Sequence, residues 1–246
     1  MYTEHPYFAA PADDSKLWRY MDFAKLAWLA AFESLYFARA DTLSDRWEGA
    51  TSRITFAQRP EMFKAMIKNE RWAESLAAFQ HYRKEDLRKE TYLSCWHEND
   101  EESAAMWGLY GREAVALAVQ TRFERLKSCF RDKGDVDIYI GKVRYVDYRS
   151  DQIPDGNTFL PFLHKRRSFS HEREVRAVIQ HSKPDTPYAR EGGLAVPIDP
   201  GLLIENVYIT PAAPVWVKEL VASVLHRYDL SQVAIVHSNL SEDPVY

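Results

Sequence analysis

The sequence predicts an α+β fold, with a mixed, mainly antiparallel sheet core and flanking helices. Two observations lead there. Segments of strand character and segments of helical periodicity intermingle without the regular βα alternation that builds a doubly wound sheet. The 246 residues are 46% apolar and 13% aromatic, enough material for a sizeable core. No internal repeat, low-complexity tract or composition break marks an internal boundary. The expectation is therefore a single domain over 17–246, preceded by a polar, proline-punctuated arm at 1–16 that is loosely held.

The elements follow in order. Leu17-Trp18-Arg19-Tyr20 reads as the first strand, and Asp22 caps a helix over Phe23–Phe32 because Phe23, Leu26, Ala27, Leu29 and Ala30 recur at helical spacing. Leu35–Ala38 is extended, favoured by Tyr36 and Phe37. Asp41–Arg59 lacks periodicity and reads as an ordered loop carrying Asp45, Trp47 and Glu48. From Pro60 to Glu90 the composition turns helical, as one long helix or a pair, with Pro60 suited to a first turn. Tyr92–Trp96 is a buried strand, and Asn99 with Glu102 has capping-box spacing for a helix through Ala104–Tyr110. A strand at Val115–Gln120, a helix at Arg122–Phe130 and a long strand region at Val136–Asp147 come next. Beyond a basic segment at His164–Arg167 lie strands at Glu174–Gln180, Leu194–Ile198, Asn206–Ile209 and Val233–Val236, with a helix over Pro214–Tyr228 between the final two.

Several function classes are excluded or disfavoured by composition. A net charge of -4, from 32 basic and 36 acidic residues, offers no overall positive field, so nucleic-acid contact needs a local patch. The nine glycines form neither a G-x-G-x-x-G nor a P-loop pattern, which excludes the standard Rossmann and P-loop nucleotide sites. Cys95 and Cys129 match neither a zinc spacing nor a disulfide framework, which suits a reducing compartment. No apolar run reaches the length of a membrane helix, and the acidic N-terminus lacks a signal peptide's basic and apolar regions. A cytoplasmic protein without a membrane partner is the expectation.

One set of motifs recurs in a recognisable order. It runs from Leu17-Trp18-Arg19-Tyr20 through Tyr36-Phe37-Ala38-Arg39, Asp45 and Glu48 to Leu93-Ser94-Cys95-Trp96 with Asn99 and Asp100. Met106, Trp107 and Tyr110, the Lys142–Tyr148 strand, and Glu172-Arg173-Glu174-Val175-Arg176 complete it. Over roughly residues 17–240 the chain resembles the bacterial family known as domain of unknown function 2971. That label implies no reaction.

The order Arg19, Ser94, Glu172-Arg173-Glu174 also resembles the ADP-ribosyltransferases. These place an Arg or His on an early strand, a polar or aromatic residue on a middle strand, and a Glu on a later one, often in Glu-x-Glu. The middle motif departs from theirs, reading Leu93-Ser94-Cys95-Trp96 in place of Ser-Thr-Ser. The resemblance implies NAD as a substrate, with Arg19, Tyr20 and Ser94 in its site, Glu174 as the catalytic carboxylate and Glu172 turned to an acceptor that is protein or nucleic acid. It implies no metal. The chemistry is coherent, because cleaving the nicotinamide glycosidic bond develops oxocarbenium character that a fixed carboxylate stabilises.

Each candidate has a structural reading beside the functional one. Arg19 is a ligand clamp or a buried ion-pair partner, and Ser94 is a small strand residue with a satisfied hydroxyl. Glu174 pairs with Arg166, Arg167 or Arg176, Glu172 faces solvent, and His164–Arg167 with His171 and Arg173 forms a solvated basic face. Trp107 and Tyr110 belong to the core, and Cys95 is buried and inert. A metal enzyme built on His97, Asp100 and Glu174 ranks lower, because no ligand pair has diagnostic spacing. The rival in another class is a noncatalytic nucleotide- or nucleic-acid-binding module of the kind found in bacterial defence.

Overall fold

A computed structural model describes residues 1–67, 70–111, 115–131, 136–181, 186–242 and 244–245. The chain opens with β1 (Lys16–Asp22), α1 (Phe23–Phe32), β2 (Ser34–Arg39), α2 (Arg53–Met66), α3 (Glu70–Glu90) and β3 (Thr91–Glu98). It continues with α4 (Ala104–Tyr110), β4 (Ala116–Arg122), α5 (Phe123–Ser128), β5 (Tyr139–Lys142), β6 (Arg144–Val146), β7 (His164–Arg166) and β8 (Glu174–Gln180). It ends with β9 (Ala189–Arg190), β10 (Gly193–Pro197), α6 (Pro200–Leu203), β11 (Asn206–Ile209), α7 (Trp216–Arg227) and β12 (Ala234–His237).

The fold is the expected α+β arrangement. Among the described residues, ten strands form one sheet in which β11 and β12 run parallel and the other pairs are antiparallel, while β6 and β7 form a separate parallel pair. The centre of the sheet decides where a site can form. A strand has two edges, and β8 occupies one edge of β3 along its length, from Thr91↔Gln180 to His97↔Glu174. The other edge is shared. There β1 pairs through Leu17↔Glu98 and Trp18↔His97, whereas β2 pairs through Ala38↔Leu93 and Arg39↔Tyr92. Beyond those contacts β1 continues into β4, and β2 into β10, so the sheet divides beside Ser94–Trp96.

Alternation along the strands sorts side chains between the two faces. Val175, Ala177 and Ile179 of β8 join Leu17, Met21, Phe37, Trp96, Val119 and Leu126 in the main core, where each buried Val, Leu, Ile, Met or Phe side chain contributes about 1.5–3 kcal/mol. Glu174, Arg176 and Val178 therefore face the opposite way, Val178 packing with Leu93, Phe162 and Leu163 in a smaller cluster.

Local sequence explains both the agreements and the differences. Asp22 caps α1 as expected, its Oδ1 accepting from the Lys25 N–H at 2.8 Å. The stretch expected as a loop to Arg59 instead starts α2 at Arg53, because the Ser52 hydroxyl accepts from the Thr55 N–H; Pro60 lies inside the helix rather than in its first turn. Helix α4 has its expected bounds but a different cap: Ser103 accepts from the Met106 N–H, while Asn99 accepts from Arg173 and Glu102 accepts from Trp107 and Ser238. The single strand expected over Val136–Asp147 is two, since the chain leaves β8 after Lys142 and pairs with β7 from Arg144. Segment 1–16, expected as a loose arm, is tied along β5: the Thr3 N–H donates to Ile138 O at 2.9 Å, the Lys142 N–H donates to Ala9 O at 2.9 Å, and Phe8 packs on Tyr139 and Phe159.

Candidate active site

Arg176 is 1% exposed and every donor of its guanidinium is used. Nε donates to Glu174 Oε1 at 2.6 Å; Nη1 to Glu48 Oε1 and Phe162 O at 2.5 and 2.7 Å; Nη2 to Glu48 Oε2 and Glu174 Oε2 at 2.9 and 3.1 Å. Gly49 makes room for this arrangement. Its φ is +72°, and a Cβ there would stand 2.6 Å from the Phe162 ring. Burial opposes the charged form of Glu174, yet Arg176 and Lys165 overcome it and hold the pKa at about 2. Of the three arginines expected as its partners, Arg176 is the one it has, while Arg166 pairs with Asp45 and Arg167 with Asp151.

Glu172 lies beside Glu174 but outside the strand. It ends a 3-10 turn over Arg167–Glu172, and Arg173 at φ 38° turns the chain into β8. Rather than facing solvent, Glu172 is 6% exposed: Lys165 Nζ bonds its Oε2 and reaches Glu174 Oε2 at 3.2 Å, and the Tyr110 hydroxyl donates to Glu172 Oε1 at 3.1 Å. Tyr110 itself is 49% exposed and is no core residue, while Trp107 is buried. Lys165 belongs to β7, so the expected solvated basic run is a strand that turns one cation inward.

Arg19 occupies the division of the sheet. Its Nη1 donates to Ser94 Oγ at 3.0 Å and its Nη2 to Tyr36 O at 3.1 Å, with the guanidinium 5.7 Å from the centroid of the Trp96 ring. Among the described residues no carboxylate stands within ion-pair distance of it, and burial lowers its pKa. Ser94 is fully buried and holds Arg19 rather than lining the cavity. Tyr20 does line it; its hydroxyl accepts from the Ser103 N–H at 2.8 Å, and burial pushes its pKa up to about 12. His97 sits opposite Glu174 across β3 and β8, its Nδ1 2.6 Å from Glu172 O. A carbonyl only accepts, so Nδ1 carries the hydrogen; burial favours the neutral ring. Cys95 lines the same cavity, and burial with the nearby Glu174 raises its thiol pKa, keeping the sulfur protonated.

Arg19, Tyr20, His97, Lys165, Glu172 and Glu174 thus line one cavity of about 380 Å³. Arg19 also lines an adjoining, more apolar cavity of about 790 Å³ walled by Met21, Trp28 and Tyr36. The arrangement sets a cation lacking a carboxylate partner against two fixed carboxylates. Among the described residues, no group of three His, Cys, Asp or Glu side chains is placed to hold a metal ion, and no helix is long and apolar enough to cross a membrane.

A solved structure is similar to this chain. It is DarT of Thermus sp. 2.9 in complex with ADP-ribosylated single-stranded DNA, at a TM-score of 0.44 and 8% identity, covering 96% of this chain and 100% of that one. No family model and no curated protein matches, so the resemblance to the domain of unknown function 2971 rests on the motifs quoted above.

Sequence reasoning missed Lys165, Arg176, Glu48 and Tyr110 as parts of one cluster. The available signal was Glu-x-Glu itself: two carboxylates entering a buried strand need cations, and β8 carries Arg176 two residues on.

Proposed function

We propose that the chain binds NAD across the division of the sheet and transfers ADP-ribose to a nucleophilic acceptor, protein or nucleic acid. One observation carries the reading: the Arg19 guanidinium has no carboxylate partner among the described residues, and it lines the same cavity as Glu172 and Glu174, which Lys165 bridges while Arg176 braces Glu174. Arg19 is suited to the pyrophosphate through its planar donor fork. Glu174 supplies a negative charge beside the ribose carbon as the bond to nicotinamide breaks and its electron pair leaves with neutral nicotinamide. Glu172 orients the incoming nucleophile. Removing one preorganised oxyanion-hole donor costs about 2.7–4 kcal/mol of barrier, and a fixed carboxylate acts by the same principle on charge of the opposite sign.

The test is nicotinamide release and ADP-ribose attachment from NAD, with protein and nucleic-acid acceptors offered separately. Glu174→Gln keeps size and hydrogen bonding, so turnover falls by orders of magnitude while NAD affinity changes little. Full turnover in that variant removes Glu174 from the chemistry.

A second reading has its own observation. Both oxygens of Glu174 are already bonded, by Arg176 and Lys165, which suits a rigid noncatalytic nucleotide sensor. Saturable NAD binding without nicotinamide release selects it.

A further inference from the structure

A separate cavity of about 380 Å³ lies on the far side of Glu48, which lines both it and the candidate active site. Arg46, Arg53, Lys84 and Arg88 line it, and among the described residues none of the four has a carboxylate within ion-pair distance. The two carboxylates on its wall do not neutralise them. Glu48 is taken up by the Arg176 guanidinium, and Glu85 is exposed.

Three donors of this wall are buried without a hydrogen-bond partner: Thr51 Oγ1, Lys84 Nζ and Arg88 Nε. A buried donor left unmade costs about 1–3 kcal/mol, and more when charged, so three around one cavity call for an acceptor. Lys84 is under particular stress. Burial and the neighbouring Arg59 push its pKa down to about 8 against the attraction of Asp155, which is itself bonded to Arg59 at 2.7 and 3.1 Å. The stem of Arg88 lies against Gly49, where a Cβ would come within 3.2 Å of Arg88 Cγ. The glycine that lets Glu48 reach Arg176 therefore also seats a cation of this second wall.

We propose that this cavity is a second anion site, which takes a phosphoryl group. Ammonium, guanidinium and hydroxyl donors on the wall of one cavity match an oxyanion with several acceptor oxygens and more than one negative charge better than they match a carboxylate. The site is independent of the reaction proposed above. It shares only Glu48 with the candidate active site, so a bound phosphoryl group adjoins the far side of the Glu48–Arg176–Glu174 chain.

The test uses the full chain and inorganic phosphate, titrated calorimetrically and by thermal melting at constant ionic strength with chloride as the balancing anion. A specific ligand raises apparent stability by mass action, so a saturable rise in melting temperature is expected. Lys84→Met and Arg46→Gln each weaken phosphate by about tenfold or more, as loss of a charged hydrogen bond implies. Arg46 is exposed, so its variant folds even if the Lys84 variant does not. Arg19→Met leaves phosphate binding at this site intact. A single-stranded oligonucleotide that competes with phosphate assigns the site to a nucleic-acid backbone; one that does not compete assigns it to a small phosphorylated compound. The proposal is overturned if phosphate acts no differently from chloride, or if Arg19→Met abolishes binding that Lys84→Met and Arg46→Gln retain.

Discussion

Arg19 Nη1 donates to Ser94 Oγ at 3.0 Å, across the part of β3 where the sheet divides. Two residues expected to touch a ligand side by side are thus arranged in series, with Ser94 holding the arginine and the arginine facing the cavity. Ser94→Ala leaves a charged donor without its acceptor, a loss of about 1.5–3 kcal/mol for a hydrogen bond to a charged group. The expected outcome is lower stability in urea unfolding together with weaker NAD binding, smaller in effect than Arg19→Met. Normal NAD affinity in Ser94→Ala would show that Arg19 needs no such support.

Glu174 contributes to acid sensitivity with a defined sign. Its folded pKa of about 2 lies below its ordinary value of 4.5, so it stabilises the fold fully above the ordinary value, and the contribution is lost as pH falls toward 2. Urea midpoints measured between pH 5 and 2 are expected to fall more steeply for the wild type than for Glu174→Gln. Parallel curves would remove Glu174 from the acid response.

Arg176 balances Glu48 and, together with Lys165, Glu174. Removing one partner of a buried charge pair costs about 3–5 kcal/mol, because the remaining charge is left uncompensated. Arg176→Met is therefore expected to lower the urea midpoint sharply, and adding Glu48→Gln recovers part of the loss. A double variant no more stable than the single one would contradict the pairing with Glu48.

Lys165 helps to hold Glu174 ionised. Its pKa is raised by Glu174 and Glu172 against the opposing effect of burial, and the same attraction, with that of Arg176, lowers the pKa of Glu174. With Lys165→Met, burial of Glu174 is opposed by Arg176 alone, and the carboxyl holds its proton to higher pH. The pH profile of nicotinamide release is expected to lose its acid limb at higher pH than in wild type. An unshifted limb with reduced turnover would mean that Lys165 acts on the substrate instead.

How much of this was legible in the sequence varies with range. Helix α1 was legible to the residue, because Asp22 and the apolar spacing both act within a few positions. So was β8, in which Val175, Val178 and Ile179 favour extended structure. The nearness of Glu172 to Glu174 depends on a left-handed turn at Arg173, a conformation that arginine does not announce in sequence. The cap of α4 was misassigned because Asn99, Glu102 and Ser103 all have capping chemistry, and contacts with Arg173 and Ser238 decide among them. The Glu48–Arg176 pair joins positions 128 apart in the chain. No local pattern links them; only the closing of the sheet does. Lys165 read as solvated because a run of four basic residues usually is, and its inward turn depends on the partner strand β6.

The charged face of β8 also bears on how the chain finds its native pairing. Strand β8 is buried on both faces, a pattern that on hydrophobicity alone would tolerate sliding against β3. A slip of one position would turn Glu174 and Arg176 toward the core occupied by Val175, Ala177 and Ile179, stranding ions in hydrocarbon and tearing them from Glu48 and Lys165. The cluster therefore acts as an alignment key: misregistered pairings are rejected electrostatically during folding, before any ligand is present.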